Sequence, residues 1–494
     1  MYSTSLFRSI VNDSWAHPER LNATLERIQE VLEVVLKQDA PPVIAECVQV
    51  TDKKRDTLTD GEGIQIAKII SRCCSVNQIK LITSLLADSE ISTAEAIDLH
   101  ERFKIPVSRL EKDIVPVRGD GAWITDIEGR AYLDMDSNYS ATNLGMSNPE
   151  IAKGISNQAR QLISMKEDRV HIPRARFLKT IHSMLPAGLT QFYWQNSGGE
   201  AVDKALKIAK AYTDHKGVVA MKGGFHGRTH GAVAVTFEPK YRKPFFLDEQ
   251  DWVHFVDFND VAAVESLFVA GKARTVILEL VQGEEGGIRP ADPEIPAELR
   301  RICNSHQAVM IVDEIQTGFG RTAEKEGQWF ASDVYGIVPD IMTIGKSFGG
   351  GYPVTAVVTN KTISDAMIPG YDGSTFGGNP MAMVAAMIAT RQMRELNITR
   401  NVVERSAQIM KGLTTLKKRH RCITDIRGLG LMIAFQLPSA GEVDHFQQGV
   451  AKRGVKTSLS TREWVRFLPL LVISQEDVDF LLEAVDETLE DMYR

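Results

Sequence analysis

Cysteine is scarce in this 494-residue chain: Cys47, Cys73, Cys74, Cys303 and Cys422 form an odd set of five with no metal-ligand spacing. That argues against a disulfide-framed fold and against a zinc site, and the adjacent Cys73 and Cys74 read as reduced thiols on a helix. Long apolar runs are missing too. No stretch could span a bilayer, and Met1 to Trp15 holds no uninterrupted apolar core of signal-peptide length, so the sequence predicts no membrane partner and a cytoplasmic location. An excess of positive charge is also absent. The 57 Lys and Arg against 64 Asp and Glu give a formal net charge of −7, with no basic block to recommend nucleic acid. What remains, 43% hydrophobic and 24% charged residues, is ordinary for a globular protein with room for two or three domains.

The pattern changes along the chain. Residues 1–110 are charged, poor in glycine and helical in period: Leu25, Ile28, Val31, Leu32 and Val35 predict a helix over 21–36, and Ile66, Ile70, Cys73, Ile79, Ile82 and Leu86 another over 64–86. Ser92-Thr93-Ala94-Glu95 has the form of a helix start. No catalytic constellation occurs in this extension. Residues 111–165 read as the first part of a small domain, with a hairpin over 121–134 turning near Glu128-Gly129. Over 166–395, apolar runs at 192–194, 218–221, 276–280, 309–312, 341–344 and 355–358 alternate with helical patterns such as 200–212 and 297–306. That alternation predicts a large α/β domain with a mainly parallel sheet covered by helices on both faces. Residues 396–494 read as the rest of a smaller α+β domain.

Chemistry concentrates at the ends of the apolar runs, where ligands of open α/β sheets collect. Lys346 follows the run Ile341-Met342-Thr343-Ile344-Gly345 and precedes Ser347 and three glycines. A lysine there loses hydration, which favours its neutral amine, a nucleophile toward an aldehyde. Asp313 ends a second run, in Ile311-Val312-Asp313-Glu314-Ile315-Gln316. An amine and a carboxylate at neighbouring strand ends suit pyridoxal phosphate, whose aldehyde needs the first and whose ring nitrogen needs the second. Asn196-Ser197-Gly198-Gly199-Glu200-Ala201 stands between a strand and a helix, where backbone N–H groups hold phosphate or simply take a cap. Gly224-Phe225-His226-Gly227 sets an aromatic in a glycine loop, for ring stacking or for packing. Glu279 is a carboxylate within an apolar run, costly to bury unpaired, and Glu284 follows in a glycine turn.

Six motifs in order carry a family likeness: Asn196 to Ala201, Gly224 to Thr229, Gln282-Gly283-Glu284, Asp313 to Gly318, Gly345-Lys346 and Ser374-Thr375-Phe376-Gly377-Gly378-Asn379-Pro380. From about 115 to 485 the chain resembles the class III, or ω-, aminotransferases, pyridoxal-phosphate enzymes of fold type I, most of all their ornithine aminotransferase branch. The resemblance implies a homodimer with active sites at its interface. It implies that Lys346 bonds the aldehyde and then shuttles a proton, that Asp313 keeps the ring nitrogen protonated, and that Gln316 holds the ring hydroxyl. Ser197, Gly198 and Gly199 would hold the phosphate, with Ser374 and Thr375 reaching it from the partner subunit. Phe225 would stack on the ring, and His226 and Glu279 complete the cofactor-binding set. Tyr139, in Ser137-Asn138-Tyr139-Ser140, would contact the amine donor. Arg466 would bind a carboxylate of glutamate or 2-oxoglutarate, and Glu284 would pair with Arg466 when an ω-amine occupies the pocket.

Two departures bear on the donor. Met146-Ser147-Asn148-Pro149 stands where relatives commonly carry histidines, and Arg109 occupies the region of a second substrate tyrosine. The sequence therefore predicts transfer of an ω-amino group from ornithine, lysine, putrescine or a similar amine to 2-oxoglutarate. A racemase or other carbon-bond chemistry on the same cofactor, and a cofactor-binding regulatory protein without turnover, are the alternatives it leaves open.

Overall fold

The computed structural model describes residues 21–51, 60–79, 82, 91–284, 287–458 and 462–493. The chain forms two compact units, one reaching Val115 and one running from Pro116.

The first unit is helical: α1 (Leu21–Leu36), α2 (Ala40–Gln49), α3 (Asp60–Cys73) and α4 (Thr93–Phe103). Of the helical-period set read from the sequence, Ile28, Leu32, Ile66, Ile70, Ile79 and Ile82 are buried together, joined by Val43 and Cys47 of α2, whereas Cys73 is exposed. The Ser92 hydroxyl accepts the Glu95 N–H and starts α4. The single helix expected over 64–86 is broken. Ser75 and Gln78 exchange hydrogen bonds of 2.8 and 3.3 Å in a reciprocal cap, which ends α3 and begins a new turn. Leu86 lies outside the described residues.

In the second unit, β1 (Pro116–Asp120), β2 (Trp123–Asp126) and β3 (Ala131–Asp134) form an antiparallel meander. Gly129 takes φ +83° at the expected turn, and the Asp126 carboxylate accepts the N–H groups of Glu128 and Arg130. The large sheet then gathers β4 (Gln191–Gln195), β5 (Val218–Met221), β6 (Val253–Val256), β7 (Thr275–Leu278), β8 (Val309–Asp313), β9 (Ile341–Ile344) and β10 (Thr355–Thr359) in the order β4-β10-β9-β8-β7-β5-β6. Only β10 runs antiparallel to its neighbours.

Strand alternation sorts the two faces. Val218, Ala220, Ile277, Val309, Ile311 and Val357 pack under α5 (Gly198–Thr213). Their neighbours Val219, Val276, Leu278, Met310 and Val312 pack under α6 (Ile295–Ser305) on the other face. Beyond α7 (Pro380–Glu395) and α8 (Ile398–Arg419), a three-stranded antiparallel sheet of β11 (Asp425–Leu429), β12 (Met432–Gln436) and β13 (Trp464–Phe467) is backed by α8 and α9 (Ala440–Lys452).

Two strand readings change. The sequence reading omitted β6, an edge strand with a part-exposed histidine in place of an apolar run. The run expected over 276–280 stops at Leu278, because the Glu279 carboxylate turns to take loop N–H groups from Phe225 at 2.8 Å and Gly283 at 3.5 Å.

Candidate active site

The carboxyl ends of β8 and β9 bring Asp313 and Lys346 together. Asp313 is the last residue of β8, and Gly345 separates β9 from Lys346. A Cβ on Gly345 would stand 2.8 Å from the Thr355 methyl, so only glycine fits. Lys346 itself holds φ +47°, a left-handed conformation that costs a non-glycine residue about 1–2 kcal/mol. Its amine has no hydrogen bond or ion pair among the described residues. Burial lowers it to about 8, against the opposing charges of Glu284, Asp313 and Glu279.

Asp313 is held in a dry network. Its Oδ2 pairs with His226 Nδ1 at 2.8 Å, and its Oδ1 accepts the Thr343 hydroxyl at 2.8 Å and the Ile315 N–H at 3.2 Å. Burial works against the His226 imidazolium, but the bond to Asp313 and the charge of Glu279 outweigh it and raise its pKa. Glu279 is pushed up to about 7 by burial and by Asp313, with His226 opposing. His226 and Glu279 thus stand behind Asp313, where His226 supplies a counter-charge.

The start of α5 is a capping box. The Ser197 hydroxyl accepts the Glu200 N–H at 3.3 Å, and the Glu200 carboxylate accepts the N–H groups of Asn196 and Ser197 at 2.9 Å. The first-turn amides of Gly198 and Gly199 are left without helical acceptors. Packing there requires the glycines: a Cβ on Gly199 would lie 2.9 Å from the Thr229 hydroxyl, and one on Gly227, at φ +121°, 2.7 Å from the Gly199 Cα. The Thr229 hydroxyl is buried without a partner among the described residues. Phe225 is part-buried, edge-on to Tyr241 at 5.8 Å.

Across the pocket, Arg466 on β13 is 4% exposed and donates to Glu284 at 2.6 Å and to the Gly283 carbonyl at 2.8 Å. Burial disfavours its guanidinium, and the Glu284 carboxylate more than compensates and raises its pKa. The Tyr139 ring centre lies 5.9 Å from the Arg466 guanidinium carbon. Ser137, Asn138, Tyr139 and Ser140 hold φ values of 44°, 51°, 54° and 73°, one turn of left-handed helix built without glycine. Gln316 donates to the Tyr139 carbonyl at 3.3 Å, which joins that turn to the loop after Asp313.

Ser374 and Thr375 lie in one loop of the second unit. The Ser374 hydroxyl accepts the Gly377 N–H within that loop, and Thr375 is exposed. Arg109 is exposed in the first unit. Sequence reading assigned no role to Thr343, whose position inside a strand hides its bond to Asp313. It assigned none to Arg228 either, an exposed cation 5.8 Å from the Phe225 ring centre.

These residues fit pyridoxal phosphate. The unpaired Lys346 amine with its lowered basicity, the Asp313 carboxylate with its buried histidine partner, and the small-residue cradle with its orphaned Thr229 hydroxyl each match one part of that molecule.

Comparison with known proteins agrees. The family model described as aminotransferase class-III matches residues 106–489. The [LysW]-aminoadipate semialdehyde transaminase of Deinococcus radiodurans is 38% identical, over 76% of this chain and 86% of its own length. The acetylornithine aminotransferase of Methanocaldococcus jannaschii is 34% identical, over 79% and 97%. The solved ornithine aminotransferase of Toxoplasma gondii, described with partial occupancy of PLP at its active site, superposes with a TM-score of 0.76 at 25% identity, over 81% of this chain and 94% of its own.

Proposed function

Because the chain belongs to the class III aminotransferases, enzymes dependent on pyridoxal phosphate, we propose that it transfers the ω-amino group of an ornithine- or lysine-like donor to 2-oxoglutarate, acting as a cytoplasmic homodimer. The observation that carries this reading is the buried Arg466–Glu284 pair facing Tyr139. A pocket that must accept an amine and then a dicarboxylate needs a cation that can be covered and uncovered. Glu284, 28% exposed on its side chain, is free to swing away when a substrate carboxylate takes the Arg466 fork. The names of the relatives, which concern acetylornithine and a carrier-linked aminoadipate semialdehyde, support a terminal amine on a five- or six-carbon skeleton over a simple diamine such as putrescine.

Bound pyridoxal phosphate supplies a cationic ring that draws electrons from the carbon next to the donor nitrogen. Lys346 would hold the cofactor's aldehyde, and its amine, with basicity lowered by burial, would serve as the proton-transfer group at the donor carbon. Asp313 would keep the ring nitrogen protonated, and Gln316 would hold the ring hydroxyl. Ser197, Gly198 and Gly199 would bind the phosphate, with Thr375 of the second subunit completing its contacts.

Single-turnover absorbance tests this. The ω-amine should discharge the lysine-bound band and 2-oxoglutarate should restore it. A band that no amine alters, or inversion of substrate without an acceptor, contradicts the reading.

A further inference from the structure

We infer that Arg321 is a positioning residue for substrate: from behind the pocket its guanidinium ties the left-handed turn under Tyr139 to the chain just past Arg466, and so sets the spacing of the two. The inference rests on the reading of Tyr139 and Arg466 as the substrate wall.

Arg321 is fully buried, and among the described residues no carboxylate pairs with it. Burial alone lowers it to about 9. Its two terminal nitrogens are met by neutral acceptors from separate stretches of chain, while Nε has no partner among the described residues. Nη1 donates to the carbonyl of Leu431 at 3.1 Å and to that of Pro469, while Nη2 donates to Asn143 Oδ1 and, at 3.5 Å, to the Ser137 hydroxyl.

Each acceptor borders the wall. Ser137 opens the left-handed turn and Asn143 lies three residues past its end. Pro469 follows β13, and Leu431 precedes β12, the strand on which Ala434 pairs with Arg466. The links continue: the Ser137 hydroxyl donates to the Leu468 carbonyl at 2.6 Å, Asn143 Nδ2 donates to the Ser347 hydroxyl, and that hydroxyl donates to the Ser140 carbonyl at 3.4 Å. Ser347 adjoins Lys346 along the chain, so one buried network joins the turn, the carboxylate-binding strand and the segment that carries the lysine. A planar guanidinium can serve these acceptors together, and an ammonium cannot.

The test uses holoenzyme carrying Arg321→Lys or, as the gentler change, Ser137→Ala. Glutarate, a dicarboxylate that cannot accept an amine, is titrated against the cofactor absorbance, and KM for 2-oxoglutarate, kcat, cofactor retention and thermal midpoint are measured alongside. A positioning role predicts that glutarate affinity and KM worsen by about tenfold while kcat stays within about threefold and the cofactor stays bound. Unchanged glutarate affinity in both variants overturns the inference. So does a uniform loss of kcat, KM and cofactor that follows the thermal midpoint, as mere structural damage would give. Should Arg321→Lys fail to accumulate, Ser137→Ala decides. Wild type that binds glutarate but transfers no amine to 2-oxoglutarate defeats the proposed reaction alone; wild type that does not bind glutarate defeats the inference as well.

Discussion

Asp313 and His226 share a 2.8 Å hydrogen bond with both side chains almost wholly inside the protein, at 6% and 0% exposure. In so dry a place the carboxylate is held by His226, whose basicity that bond raises against burial, and by the Thr343 hydroxyl and the Ile315 N–H.

Removing the imidazole should therefore weaken the electron sink rather than the pocket. A charge-assisted hydrogen bond contributes about 1.5–3 kcal/mol, so His226→Ala is expected to lower kcat by about 10- to 100-fold with KM little changed. Steady-state kinetics on cofactor-saturated enzyme checks this, and a kcat within twofold of wild type would show that Asp313 needs no counter-charge.

Glu284→Gln should unbalance the two half-reactions. It leaves the buried Arg466 cation without its carboxylate, so 2-oxoglutarate no longer competes with an internal anion and its apparent affinity should rise by about tenfold, roughly 1.4 kcal/mol. The ω-amine half-reaction should slow by a similar factor. Rapid-mixing absorbance of each half-reaction separates the two, and equal effects on both would remove the switch.

Glycine at 227 should be irreplaceable and glycine at 129 should not. Both hold positive φ, but a Cβ on Gly227 meets backbone at 2.7 Å while one on Gly129 meets nothing within 4 Å. Gly227→Ala is expected to weaken cofactor binding by more than about tenfold, since backbone strain of about 1–3 kcal/mol falls on the phosphate cradle. Gly129→Ala should leave cofactor affinity intact, as a spectral titration of apoenzyme would record.

The rate at which apoenzyme takes up its cofactor should follow the Lys346 amine. Burial lowers that group to about 8, and only the neutral amine attacks an aldehyde, so uptake should rise with pH through about 8 and then level. A flat profile, or one rising only near the ordinary lysine range, would place Lys346 in water.

What the sequence made legible was local. Ser197 to Glu200 reads as a cap because the cap is completed within four residues, and Lys346 and Asp313 read as strand-end groups because the apolar runs before them fix where the strands stop. What it hid depends on distant partners. Nothing near Tyr139 forecasts four left-handed residues without glycine; that turn is held by Arg321, Leu468 and Ser347, which lie far along the chain. Likewise Glu279 reads from the sequence as an ordinary acid, yet burial and the neighbouring Asp313, which lies far along the chain, push it up to about 7. The edge strand β6 escaped notice because it is half exposed and carries His254 where an apolar residue would have marked it.

The central claim is that Lys346 carries the cofactor, and borohydride reduction followed by peptide mapping tests it most directly. Reduced holoenzyme should yield one pyridoxyl-bearing peptide, modified at Lys346, and Lys346→Ala should yield none. A modified peptide from any other lysine, or a protein that takes up no cofactor at all, would contradict the account.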